Sequence, residues 1–90
     1  MANVFHKDSK TWECTQTGVL TTERVKIHNV RWAGAAQAGD VAKLAGNDSG
    51  DFFKSTSETS NWDDEQLIRD WVNGLQITAI DSGTLYIILW

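Results

Sequence analysis

The 90-residue sequence has no proline, one cysteine (Cys14) and two histidines (His6 and His28). A lone thiol cannot form an intrachain disulfide, and these few residues do not fall at zinc-ligand spacing. A domain of this length buries only about 60–65% of its unfolded surface, so its core is modest and usually needs support. With disulfide and structural metal set aside, self-association is the remaining common device. The missing proline also removes one means of blocking a sheet edge, so exposed edges must be charged, covered or used. Basic residues are few as well. Eight Lys and Arg, scattered singly, stand against twelve Asp and Glu for a net charge of −4, which argues against a nucleic-acid backbone as the main partner. No long apolar run exists: LYIIL before Trp90 is far below the roughly 20 residues of a membrane helix. The opening MANVFHKDSK lacks the basic start and apolar core of a secretory signal, which sets the expectation of synthesis and retention in a reducing cytoplasm. The sequon NDS at 47–49 is then a chance match.

What is present reads as β-sheet. Residues 1–23 are polar and threonine-rich, with Val4, Phe5, Trp12, Val19 and Leu20 as isolated apolar points, and are expected to form an extended arm. From residue 24 onward, VKIHNVRWAGA, DVAKLAG, DFFKSTS, LQITAI and TLYIILW are short segments rich in β-branched and aromatic residues. AGD at 38–40 and DSG at 48–50 and 81–83 separate them, each placing Gly where a left-handed turn residue belongs. Inside VKIHNVRW the apolar alternation slips between Ile27 and Val30, which predicts a β-bulge near His28 and Asn29. In SNWDDEQLIRDWVNG, Ser60 and the acidic run suit a helix start with Leu67, Ile68, Trp71 and Val72 on one face. NG after Val72 is equally a hairpin signal, so at most one helical turn and then strand is expected. The fold class is all-β, a small sandwich of about six to seven short antiparallel strands over residues 24–90.

Catalytic and metal-binding signals are weak. Asp48 and Asp51 around SG lack the alternating ligands of a calcium loop and read as a turn; Asp63, Asp64 and Glu65 read as a solvated acidic segment. Cys14 with either histidine lacks an elbow or an oxyanion-hole motif, and His28 reads as a hydrogen-bonded strand residue. No enzyme activity, cofactor or metal is expected. Five tryptophans, at 12, 32, 62, 71 and 90, exceed what so small a core can hide, since each offers on the order of 200 Å². Some therefore serve as anchors at a protein contact or as platforms for sugars.

RWAGAAQAGD, the following DSGD turn, WVNGLQITAIDSG and TLYIILW together resemble small all-β proteins of tailed bacteriophages, over about residues 24–90. The resemblance implies a virion component, a head decoration or cement protein that binds the major capsid protein on the virion's head surface. It carries no catalytic residues. The leading arm and the acidic WDDE segment depart from that pattern and are where a particular partner is expected to be recognised. The final strand is apolar in both alternating sets, so it is expected to be covered on both faces, by the core on one side and by a neighbouring subunit or capsid protein on the other. Phe5, Trp12, Val19, Leu20, Trp32, Trp71, Tyr86, Ile88 and Trp90 form the expected interface, with self-association, a trimer first among the candidates. The alternative is a carbohydrate-binding, host-attachment module of a phage fibre.

Overall fold

The computed structural model describes residues 3–46 and 50–90. It is all-β, with seven strands: β1 (Val4–His6), β2 (Thr11–Cys14), β3 (Gly18–Ala35), β4 (Val41–Ala45), β5 (Asp51–Thr56), β6 (Trp62–Ile80) and β7 (Thr84–Leu89). All pair antiparallel in one continuous sheet, in the order β1-β2-β7-β3-β6-β4-β5.

The sheet is not flat. Its Cα atoms extend 33 × 28 × 23 Å, far thicker than one pleated layer, and a single buried cluster gathers side chains from β2 through β7. The curl is built along β3 and β6, which at 18 and 19 residues are much longer than the short strands expected. The C-terminal half of β3 lies between β6 and β7, whereas β6 lies between β3 and β4 only over its last residues. The two long strands therefore belong to both ends of the sheet and wrap it around Trp32, Phe53, Ile27, Leu44, Leu75, Leu85 and Ile87. The curl brings β5 towards the first half of β6, where Ser55 Oγ donates to Asp64 Oδ2 at 2.7 Å.

Bulges make this bending possible. The register slips between Ile27 and Asn29 in both ladders of β3, at the place where the alternation of apolar residues slips. Against β7 the extra residue is His28; against β6 it lies on the partner, where Arg69 takes a left-handed φ of 52°. Such insertions re-aim side chains and strengthen twist. Residues 62–72 are strand throughout, without a helical turn, because Trp62, Ile68 and Val72 pack against the core while the acidic side chains between them meet solvent or polar partners. The chain runs through Asn73 and Gly74 without reversing: Gly74 has φ 81°, beside a register shift that lets Leu75 reach the core.

Two expected turns interlock at one end of the sheet. Gly39 has φ 91° and Gly83 φ 75°, and a Cβ on Gly83 would meet the Ala33 carbonyl oxygen at 2.6 Å. Ser82 joins them: its carbonyl accepts from Trp32 Nε1 at 2.9 Å, and its hydroxyl accepts from Ala36 N and donates to the buried Asp40 carboxylate. Ser57 completes the junction, its hydroxyl accepting from Asp40 N at 3.0 Å and its amide donating to Asp40 O at 2.8 Å. A buried carboxylate is tolerated here because it is hydrogen-bonded. The turn at 48–50, the sequon and Asp48 involve residues 47–49, which lie outside the described residues.

Residues 1–23 differ from the expected arm. Val4–His6 and Thr11–Cys14 form a hairpin on the sheet edge, β2 pairs with β7, and the boundary at 23/24 falls within β3. Two residues account for the docking. Cys14 is fully buried, and Trp12 packs on the core with the Phe5 ring 5.1 Å from its own. An edge hairpin needs few inward side chains, which is why this segment looks unpatterned.

Candidate functional site

The bulge at His28 and Asn29 determines what the outer face of the sheet carries. Before it, Ile27 points into the core and Lys26 outward; after it, Val30 and Trp32 are buried and Asn29 and Arg31 share the outer side. Lys26 is the cross-strand partner of Trp71, and cross-strand partners stand on the same face. Arg24 lies over the Trp71 ring, with its guanidinium carbon 5.1 Å from the centroid. Lys26 Nζ lies 4.8 Å from the Trp90 centroid, and the His28 ring meets Trp90 edge-on at 4.7 Å. Trp90 N also donates to Lys26 O at 3.0 Å, which fixes the end of the chain to β3. The result is a strip of two indoles interleaved with Arg24, Lys26 and His28.

Trp71 and Trp90 remain 52% and 54% exposed, and Leu67, opposite Asn29, is 61% exposed. Beyond Leu67 the same face turns acidic. Asn29 Nδ2 donates to Glu65, and Arg31 holds Asp63 through two bonds, Nε to Oδ1 at 3.1 Å and Nη2 to Oδ2 at 2.7 Å. The hydrogen bonds from Arg31, together with its charge, lower the Asp63 pKa below the ordinary aspartate value. Glu13 lies along the same row, opposite Tyr86 and joined to His6 at 3.1 Å.

The residues expected at an interface fall into three groups. Trp71, Trp90 and Val19 are well exposed, and Phe5 is marginally so. Trp12, Leu20, Tyr86 and Ile88 are half-buried: Trp12 and Leu20 lean on the core, while Tyr86 and Ile88 occupy the outer side of β7 between β2 and β3. Trp32 is a correction. It is fully enclosed and bonded through Nε1 to Ser82, so it anchors the fold and offers no surface to a partner.

Sequence reasoning missed Leu67, Arg24 and Lys26. At helical spacing Leu67 and Trp71 share one face with Ile68 and Val72; in a strand those pairs separate, Leu67 and Trp71 outward and Ile68 and Val72 inward. The alternating reading of the same four residues was the available signal.

No pocket forms among the described residues, and no group of three His, Cys, Asp or Glu is placed to hold a metal there. Cys14 is sealed in the core, where burial pushes its thiol up to about 12 and leaves it a poor nucleophile at neutral pH. No family model, curated relative or solved structure matches the chain.

Proposed function

We propose that the chain is a structural, non-enzymatic assembly protein that binds other proteins through the outer surface of its β-sheet, and that its setting is a bacteriophage particle, as a head decoration or cement protein on the major capsid protein. The observation that carries the assembly reading is the outer-face strip: two half-exposed tryptophans and Leu67 on one rigid sheet, in a chain of only 90 residues. Exposed aromatic side chains of this kind, fixed by neighbouring cations, are typical anchors of protein interfaces. The phage setting is supported by the resemblance of residues 24–90. The test is to add the purified protein to capsids lacking it and to measure occupancy and heat resistance. Saturable, stoichiometric decoration that protects the capsid supports the reading; failure to bind any phage particle overturns the setting.

A second reading, a glycan-binding module of a fibre, is favoured by the side-by-side placement of Trp71 and Trp90. Sugars stack on open indole faces, and here Arg24 lies over one ring and Lys26 over the other. A glycan array separates the readings: saturable binding lost in both Trp71→Ala and Trp90→Ala favours the module.

A further inference from the structure

We infer that the occupant of this outer face is a second copy of the same chain, packed face to face about a two-fold axis near Asn29 and Leu67. The reason is the polarity of the face. Along β3 and β6 it begins with Arg24, Lys26 and His28 around Trp71 and Trp90, passes Leu67 and Ile88, and ends with Glu65, Asp63 and Glu13. At the acidic end Arg31 and His6 are engaged with Asp63 and Glu13, whereas at the basic end no acidic side chain of the described residues forms an ion pair with Arg24 or Lys26. A two-fold axis lying in the plane of the interface and running across β3 and β6 sets each end of the face over its opposite. It therefore sets the tryptophans and cations of one copy over the carboxylates of its mate, twice, with Leu67 of both copies at the middle. An isologous interface requires this kind of self-complementary pattern.

The size suits a weak contact. β2 and β7 supply four and six residues to this face, and β3 and β6 about nine each. At about 4.8 Å spacing and about 3.3 Å per residue they cover roughly 450 Å², so a pair buries at most about 900 Å² in total, in the range of weak, transient interfaces. An association that is reversible, in the micromolar range, fits that area.

This pairing rests on reading the face as a docking surface, and it names the partner. The experiment is sedimentation equilibrium of the full chain from 1 to 200 micromolar, in low and high salt. The expected result is a reversible monomer–dimer equilibrium that weakens as salt rises. Leu67→Lys and Trp71→Ala, both at exposed positions, should each weaken the dimer about tenfold or more. Charge reversal then tests the two-fold itself. Arg24→Glu with Lys26→Glu, and Glu13→Lys with Glu65→Lys, should each give monomers, while an equal mixture of the two variants should restore dimers. Circular dichroism of each variant checks that it folds, and the Leu67→Lys result keeps the test intact if a charge-reversed chain does not.

A monomeric wild-type chain at 200 micromolar overturns the pairing, as does a trimer, or a dimer indifferent to Leu67→Lys. The particle reading is judged separately. A monomer that still decorates capsids removes the two-fold and keeps the assembly role, and a dimer that ignores capsids does the reverse.

Discussion

Trp32 and Trp71 are the same side chain on adjacent strands, each preceded by a charged residue, and they have opposite fates. Trp32 lies on the inner face, fully enclosed, with its indole nitrogen bonded to the DSG turn. Trp71 lies on the outer face, half exposed, beneath the Arg24 guanidinium. The inner face of this sheet uses its aromatic surface to close the fold and to hold two turns together. The outer face leaves its aromatic surface accessible and rigid. Stability and recognition are thus divided between the two sides of one sheet, and substitutions should separate them.

The largest expected effect is at Trp32. Trp32→Ala removes a buried ring and leaves the Ser82 carbonyl without its donor, which should cost about 3–5 kcal/mol in denaturant unfolding. Trp71→Ala and Trp90→Ala should each cost under about 1 kcal/mol in the same measurement, the scale of an exposed cation–π contact. Equal losses at Trp32 and Trp71 would erase the division between the faces.

Gly83→Ala should come next. The position has a left-handed φ, and the added Cβ would lie 2.6 Å from a backbone oxygen that cannot move away cheaply. A loss of about 2 kcal/mol or more is expected, with Gly39→Ala smaller because nothing lies within 4 Å of its Cβ position. Comparing the two variants by thermal unfolding isolates the close approach from the φ penalty they share.

How far the sequence reveals this division depends on which face a residue occupies. Turn chemistry was readable, since Gly39 and Gly83 sit where a left-handed residue is required. So was the bulge, because a slip of apolar alternation at Ile27 and Val30 has few other causes. The long strands were not. Gly74 in NG signals a hairpin locally, but pairing with β3 and burial of Leu75 hold the chain extended through it. Nor was the edge hairpin, which pairs through the β2–β7 ladder and whose Trp12 and Cys14, with Phe5 against Trp12, are isolated among polar neighbours in the sequence. The tryptophans were the hardest case: Arg31-Trp32 and Asp70-Trp71 are locally alike, and only register decides which ring faces in.

Cys14 probes the inner face by chemistry. Burial raises its pKa from the ordinary thiol value of 9.0 to about 12, so the folded state holds its proton longer. The unfolded chain then binds fewer protons above about pH 9, and stability should fall as pH rises from about 9 towards 12. Cys14→Ser should remove that part of the alkaline slope. At pH 8 a thiol reagent should modify the native protein far more slowly than the protein in denaturant. Fast labelling under native conditions would show that the β2 edge opens readily.

The smallest effect sharpens the comparison on the outer side, away from the tryptophans. Lys43 and Lys54 are directly opposite each other on β4 and β5, while their neighbours Ala42, Leu44, Phe53 and Ser55 are buried. The two ammonium groups therefore share the solvent face, and like charges directly opposite are destabilising. Lys54→Glu replaces repulsion with a cross-strand pair and should stabilise the fold by about 0.5–1 kcal/mol; Lys54→Gln, which only removes the repulsion, should give about half of that. Salt supplies the control. Screening weakens both the repulsion in the wild type and the attraction in Lys54→Glu, so the gap between them should narrow as ionic strength rises. Because β4 and β5 lie outside the strip around Trp71 and Trp90, Lys54→Glu should leave self-association unchanged. A change in the dimer constant with this variant would move the interface across the sheet, towards β5.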